Sequence, residues 1–193
     1  MSQTAPRRSF IQLFTALVLR LMGWRFQGEL PLPAKCVLIG APHTSNWDIL
    51  YTFLLMGASR RRFRWVAKHT LFRGMGGVIL KWLGGIPVRR DARHNFVDQM
   101  AEIFRKSERL VLAIVPEGTR SKAEYWKTGF YYIAREAGVP VLMGFVDFSR
   151  KITGIGPALI PSGDITADFD IIRAFYSGKT GHDPEKQGPV RLK

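Results

Sequence analysis

The stretch KCVLIGAPHTSNWDILYTFLLM, residues 35–56, decides how this sequence is read. Lys35 to Gly40 is a short apolar run bounded by a glycine, the pattern of a buried strand. From Asn46 onward, Ile49, Leu50, Phe53 and Leu54 recur at helical spacing to Met56. A buried strand that runs through a short polar loop into a helix is the first half of a strand–helix–strand unit.

The same alternation continues on the C-terminal side. Phe63 to Ala67 reads as a strand, Leu71 to Leu83 as a glycine-containing helix, and Gly84 to Val88 as a turn and short strand. Phe96, Met100, Ile103, Phe104 and Leu110 mark an amphipathic helix running out of Asn95, and Leu110 to Val115 a strand that ends at Pro116. A helix from Thr128 to Ala137 stops at Gly138, where a left-handed C-cap is expected. Val139 to Phe148 and Ile152 to Ile160 return as strands, and Ile165 to Tyr176 closes as a helix before Ser177 and Gly178. The expected fold class is α/β: a single layered domain over residues 29–178, with a mostly parallel central sheet flanked by helices. The tail, 179–193, is rich in Gly, Pro and Lys and is expected to be loose.

Toward the N-terminus, residues 1–28 read as an amphipathic membrane-interface segment. Phe10, Leu13, Phe14, Leu17, Leu21 and Trp24 keep helical spacing, with Arg7, Arg8, Arg20 and Arg25 beside them. Packing of this helix on its own domain is an equal alternative, because periodicity does not say what covers the stripe. Arg20 and Arg25 interrupt the apolar run before it reaches the ~20 residues of a spanning helix. Arg7 and Arg8 faintly resemble the start of an export signal, but no A-x-A-like cleavage site follows.

The 193 residues carry 29 Lys and Arg against 15 Asp and Glu, a formal net charge of +14. Such a surface attracts nucleic acid, anionic lipid, or phosphorylated substrates. The apolar content of 46% excludes disorder as the main theme. Cys36 is the one cysteine, so no intrachain disulfide or cysteine metal cluster forms, and it reads as a small core residue. Arg60, Arg61, Arg62 and Arg64, with Lys68, Arg73 and Lys81 downstream, supply much of the charge and suit an anionic surface or donor.

Three stretches carry chemistry. In the loop after the first strand, His43 precedes Asp48 by five positions; an Asp in the first helical turn can reach back to a loop histidine and hold one ring nitrogen while the other faces substrate. Alone, this spacing is weak evidence. The second, Pro116-Glu117-Gly118-Thr119-Arg120-Ser121, offers a tight turn, hydroxyls and a guanidinium suited to phosphate. Taken alone it favours a turn with an exposed arginine. The third, Gly84-Gly85-Ile86-Pro87-Val88-Arg89-Arg90, delivers adjacent arginines to a strand end as a candidate phosphate clamp.

Together the three stretches resemble the H-x4-D, G-x-I-P-V-x-R and P-E-G-T-R-S motifs of the glycerophospholipid acyltransferase family, the 1-acylglycerol-3-phosphate acyltransferases among them. Val139-Pro140-Val141 is similar to its fourth, a proline-containing strand after a helix. The resemblance implies transfer of a fatty acyl group from acyl-CoA or acyl carrier protein to a hydroxyl of a lysophospholipid or glycerol-phosphate-type acceptor. It implies His43 as general base, Asp48 as its orienter, and Arg90, Glu117, Gly118, Thr119 and Arg120 as residues that hold the acceptor phosphate or shape the pocket. It calls for no metal and no cofactor beyond the thioester co-substrate, and implies a peripheral protein on an anionic membrane, at its cytoplasmic face. Arg89 stands where many members carry another polar or acidic residue.

Two other classes remain in view. The charge suits a nucleic-acid-binding module in which Phe63, Trp65 and Trp82 stack bases. Yet no zinc spacing, helix-turn-helix or ribonucleoprotein aromatic motif is present, and no nucleic-acid partner is expected. A catalytically inactive membrane-bound interaction protein on the same fold is the other, against which the intact His43 and Asp48 speak.

Overall fold

The computed structural model describes residues 10–28, 31–59, 62–88 and 93–193. Its strands are β1 (Arg25–Gln27), β2 (Lys35–Ala41), β3 (Phe63–Lys68), β4 (Gly85–Val88), β5 (Leu110–Ile114), β6 (Val141–Asp147) and β7 (Ile152–Leu159). Its α-helices are α1 (Phe10–Leu21), α2 (Trp47–Ser59), α3 (Gly74–Trp82), α4 (Arg93–Lys106), α5 (Gly129–Ala137) and α6 (Ile165–Tyr176). The strands form one sheet in the order β1-β7-β6-β2-β5-β3-β4. Neighbours pair in parallel, except the β6–β7 hairpin, which is antiparallel. The α/β class with a mostly parallel sheet is therefore the observed one.

The order of strands fixes the layers. The β2–α2–β3 and β3–α3–β4 connections step toward the β4 edge, whereas β4–α4–β5 and β5–α5–β6 step back. Right-handed crossovers then place α2 and α3 on one face of the sheet and α4 and α5 on the other. On β2, Val37, Ile39 and Ala41 pack with Met100, Phe104, Phe130, Ile133 and Ile172 of α4, α5 and α6. Cys36 and Leu38 point the opposite way, toward Leu55, Phe63 and Val111. Both faces of β2 are thus covered, which is why its sequence is apolar without alternation. Each large side chain buried here contributes ~1.5–3 kcal/mol.

Local signals mark several ends. Gly138 adopts φ +62° at the end of α5, the left-handed cap that glycine takes without steric cost. Asp164 caps α6 by accepting from the N–H groups of Thr166 and Ala167 at 3.0 and 3.1 Å. The helix expected over 71–83 is divided: a 3-10 turn, His69–Phe72, precedes α3. Gly77 explains the tight junction, since a Cβ there would fall 2.1 Å from the Phe72 carbonyl oxygen.

Three expectations change at the chain's ends. First, the end of the N-terminal segment is joined to the domain, because β1 pairs with β7 and so places Arg25 within the sheet. Second, α1 packs on α2 with one face and leaves the other exposed. Thr15 and Leu19 are buried, and Gln12 Nε2 donates to the Ala58 carbonyl of α2 at 3.0 Å. Phe10, Leu13, Phe14, Leu17 and Leu21 remain exposed. Trp24, expected on that same stripe, is instead buried against Tyr51 and Phe148, with ring centroids 4.0 and 5.0 Å away. Third, the tail expected to be loose is laid against the domain. Phe148 N–H donates to the Thr180 carbonyl and Trp126 N–H to the Arg191 carbonyl, both at 2.9 Å. Val190 and Leu192 pack on the main core.

Candidate active site

Strand β2 ends at Ala41, and the loop that follows sits at the carboxyl edge of the sheet, beside the strand ends of β5 and β6. This edge is where open α/β sheets place their ligands. Tyr176 of α6 fixes the end of β2 from below: its hydroxyl lies 3.2 Å from the Ile39 carbonyl and 2.9 Å from that of Gly144.

His43 lies in this loop and Asp48 in the first turn of α2. The His43 Nδ1 to Asp48 Oδ2 distance is 3.0 Å, with the His43 side chain 21% exposed and that of Asp48 7%. The same Asp48 oxygen accepts from the backbone N–H groups of Thr44 at 3.0 Å and Ser45 at 3.1 Å. One carboxylate oxygen therefore folds the loop and holds the ring. Because a carboxylate only accepts, the proton of a neutral His43 ring sits on Nδ1, and Nε2 keeps a free lone pair. Asp48 Oδ1 is buried and has no hydrogen-bond partner.

Glu117, just past β5, is buried, and its Oε2 accepts from the His43 backbone N–H at 2.8 Å. Burial pushes its carboxyl up to about 7 against the opposing pull of that N–H and of His43. Its carboxyl is thus engaged with the backbone of the His43 loop.

Gly118 turns the chain with φ +68°. A Cβ on it would fall 2.5 Å from Lys127 Nζ, so the absence of a side chain admits that ammonium group. Thr119 Oγ1 accepts from Ser121 N–H at 3.2 Å. The exposed Arg120 guanidinium donates to Asn46 Oδ1, which ties this loop to the loop of His43. Arg89 and Arg90 lie outside the described residues, as do Arg60 and Arg61. The structure thus brings together His43, Asp48, Glu117, Gly118, Thr119 and Arg120.

Sequence reasoning missed three contributors. Thr44 is buried, and its Oγ1 accepts from Asp183 N–H of the tail at 3.1 Å. Lys127 reaches back to Gly118 from nine residues on. Lys186 Nζ of the tail lies 2.5 Å from Asp183 Oδ2, on the residue whose N–H bonds Thr44. Long-range contacts of this kind leave no periodic trace. Among the described residues no group of three His, Cys, Asp or Glu side chains is set to hold a metal ion.

A histidine held by a carboxylate at a strand's carboxyl end, with a guanidinium on the neighbouring loop, is an arrangement chemically able to accept a proton beside an anionic group. The family model described as Acyltransferase matches residues 24–143, and the chain belongs to that family. The matched span contains His43, Asp48, Glu117, Gly118, Thr119 and Arg120. Among solved structures, the 1-acyl-sn-glycerophosphate (LPA) acyltransferase PlsC from Thermotoga maritima is similar in fold, at 18% identity and a TM-score of 0.57 over 86% of this chain and 76% of that one. No curated protein matches significantly.

Proposed function

We propose that the protein transfers a fatty acyl group from an acyl thioester, acyl-CoA or acyl carrier protein, to a hydroxyl of a lysophospholipid or glycerol-phosphate-type acceptor. The observation that carries this reading is the His43 Nδ1–Asp48 Oδ2 pair, which leaves Nε2 as the proton acceptor. His43 Nε2 removes the acceptor hydroxyl proton as that oxygen attacks the thioester carbonyl. Asp48 orients the ring and stabilises the imidazolium that forms. Collapse of the tetrahedral adduct breaks the carbon–sulfur bond, and the departing thiolate takes the proton back from His43. No covalent enzyme intermediate is needed.

Arg120 and Arg90 are the proposed phosphate contacts, and Gly118 and Thr119 shape the turn that presents Arg120. The similarity in fold to a 1-acyl-sn-glycerophosphate acyltransferase supports an acylglycerophosphate acceptor. Trp47 and Leu50, exposed on α2 next to the pair, suit an acceptor and donor with acyl chains. The protein is proposed to act as a peripheral protein at the cytoplasmic face of an anionic membrane, through the exposed stripe of α1. No helix among the described residues is long and apolar enough to cross a membrane.

The test is to incubate the purified protein with a panel of lysolipids and both thioester donors and to identify the acylated product by mass. The reading expects a gain of one acyl group on a phosphate-bearing lysolipid. Hydrolysis of the thioester with no acylated lipid would refute it.

A further inference from the structure

Large apolar side chains exposed on this protein are not spread evenly. Among the described residues, Tyr125, Tyr132, Ile160 and Ile171 are the exposed ones that lie outside the N-terminal part of the chain. The rest lie between Phe10 and Trp82, that is, on α1, α2, α3 and the residues joining them. Since α1 packs on α2 and the crossovers place α2 and α3 on one face, these three helices form one layer, and that layer is apolar outward.

Within the layer α3 is built inside out. Met75, Val78, Ile79 and Trp82 stand at i, i+3, i+4 and i+7, a single helical stripe, and are 85%, 69%, 56% and 78% exposed. The opposite side of the helix meets the domain through Gly77, which is buried. A nine-residue helix that packs on its own domain through a glycine, and turns its whole apolar stripe to solvent, is not using that stripe for the core.

Charge identifies the occupant. From Ile49 through Arg90 the sequence contains no Asp or Glu, while Arg60, Arg61, Arg62, Arg64, Lys68, Arg73, Lys81, Arg89 and Arg90 fall inside it. Arg73 precedes α3, Lys81 lies in its last turn, and Arg64 is fixed at its C-terminal end by Nε donating to the Gly84 carbonyl at 3.1 Å. An apolar stripe rimmed by cations of one sign repels a second copy of itself and fits a surface that is apolar within and anionic at its edge.

We infer that α3 is a second membrane-docking element, which inserts Met75, Val78, Ile79 and Trp82 into the interface of an anionic lipid bilayer while Arg64, Arg73 and Lys81 meet the head groups. This rests on the membrane-surface part of the proposed function and not on the acyl transfer. Two feet in one layer, α1 and α3, fix the tilt of the domain on the bilayer, where one helix alone leaves it free to turn. His43 and Asp48 sit beside the N-terminus of α2, in that same layer, so the orientation that plants both feet also holds the site close to the lipid.

The experiment uses the full chain and sedimentation with vesicles of phosphatidylcholine and phosphatidylglycerol in equal parts. The triple variant Met75→Ser, Val78→Ser, Ile79→Ser is compared with Phe14→Ser, Leu17→Ser on α1; all five positions are exposed, and matched thermal melts establish that the variants fold. The inference expects the α3 variant to lose at least about tenfold in partition coefficient. It also expects brominated acyl chains to quench fluorescence that Trp82→Phe removes. Partition of the α3 variant within twofold (roughly) of the parent, with Trp82 unquenched, overturns the inference. If the α1 variant then loses binding, the membrane reading stands without α3; if the parent itself does not bind, both fall. Self-association of the parent without lipid that the α3 variant abolishes also overturns it, in favour of a second copy.

Discussion

Replacing Asp48 by asparagine separates the charge of that side chain from its geometry. Three donors converge on one oxygen: His43 Nδ1 at 3.0 Å, Thr44 N–H at 3.0 Å and Ser45 N–H at 3.1 Å. An asparagine satisfies all three only with its carbonyl oxygen in that place, so the ring tautomer and the loop are both kept. Its amide nitrogen then takes the position of Oδ1, a buried atom with no partner. What is lost is the charge that supports the imidazolium. A hydrogen bond to an ionised group contributes ~1.5–3 kcal/mol against ~0.5–1.5 for a neutral one. The stabilisation lost as the proton moves to His43 is therefore about 1–2 kcal/mol, or roughly 5–30-fold in kcat. Asp48→Ala, by contrast, leaves the loop donors unpartnered, at about 1–3 kcal/mol of stability for each group left buried and unsatisfied. Thiol release from acyl-CoA in the presence of lysophosphatidate measures the rate, and a thermal melt measures the fold. An asparagine variant with unchanged kcat refutes the electrostatic role of Asp48.

Further outcomes follow from the neighbouring contacts. Glu117→Gln keeps an acceptor for His43 N–H and removes an acid whose carboxyl is raised from 4.5 to about 7 by burial. In that window the folded state holds a proton the unfolded state has lost, so the wild-type contribution falls as pH rises from about 4.5 through about 7, by on the order of 2–3 kcal/mol. Denaturant melts at about pH 5 and about pH 8 will accordingly show the wild type losing ground to the glutamine variant, and parallel profiles refute the coupling. Arg120→Gln raises KM for a phosphate-bearing acceptor about 10–100-fold with the donor KM kept, measured by varying each substrate in turn; an unchanged acceptor KM removes Arg120 from the phosphate site. Gly181→Val places a side chain where a Cβ already lies 2.7 Å from Thr44 Oγ1 and 2.9 Å from Thr44 Cγ2. It is expected to lower both the melting temperature and kcat, and a wild-type kcat shows that the tail does not position the His43 loop.

Much of the fold was legible because its central strands are covered on both faces. β2, β5 and β6 therefore read as continuous apolar runs, and Gly138 marked the end of α5 by the one backbone conformation it makes easy. β1 left no such trace, since three residues, Arg25–Gln27, are too few to display a period. Helical spacing identified the stripe from Phe10 to Leu21 but carried no information about which side meets the domain; Trp24 kept that spacing and still folded inward, because the chain leaves the helix at Met22. The pairing of Asp48 with His43 is local and was readable. Glu117 beneath His43, Arg120 against Asn46 and Asp183 against Thr44 join positions far apart in sequence, and only the sheet topology brings them together. The composition of the tail signalled looseness, but hydrogen bonds accepted by its backbone carbonyls and the packing of Val190 and Leu192 outweigh that signal.

The central claim is that the His43 ring moves the proton of acyl transfer, and His43→Ala tests it most directly. The side chain is partly exposed and its ring is held by a single contact, whereas the backbone N–H that bonds Glu117 survives the substitution. Single-turnover transfer of a labelled acyl group to vesicle-borne lysophosphatidate is expected to fall by about 10²–10⁴-fold while vesicle binding is unchanged. Transfer that persists within a fewfold of the parent rate contradicts the account.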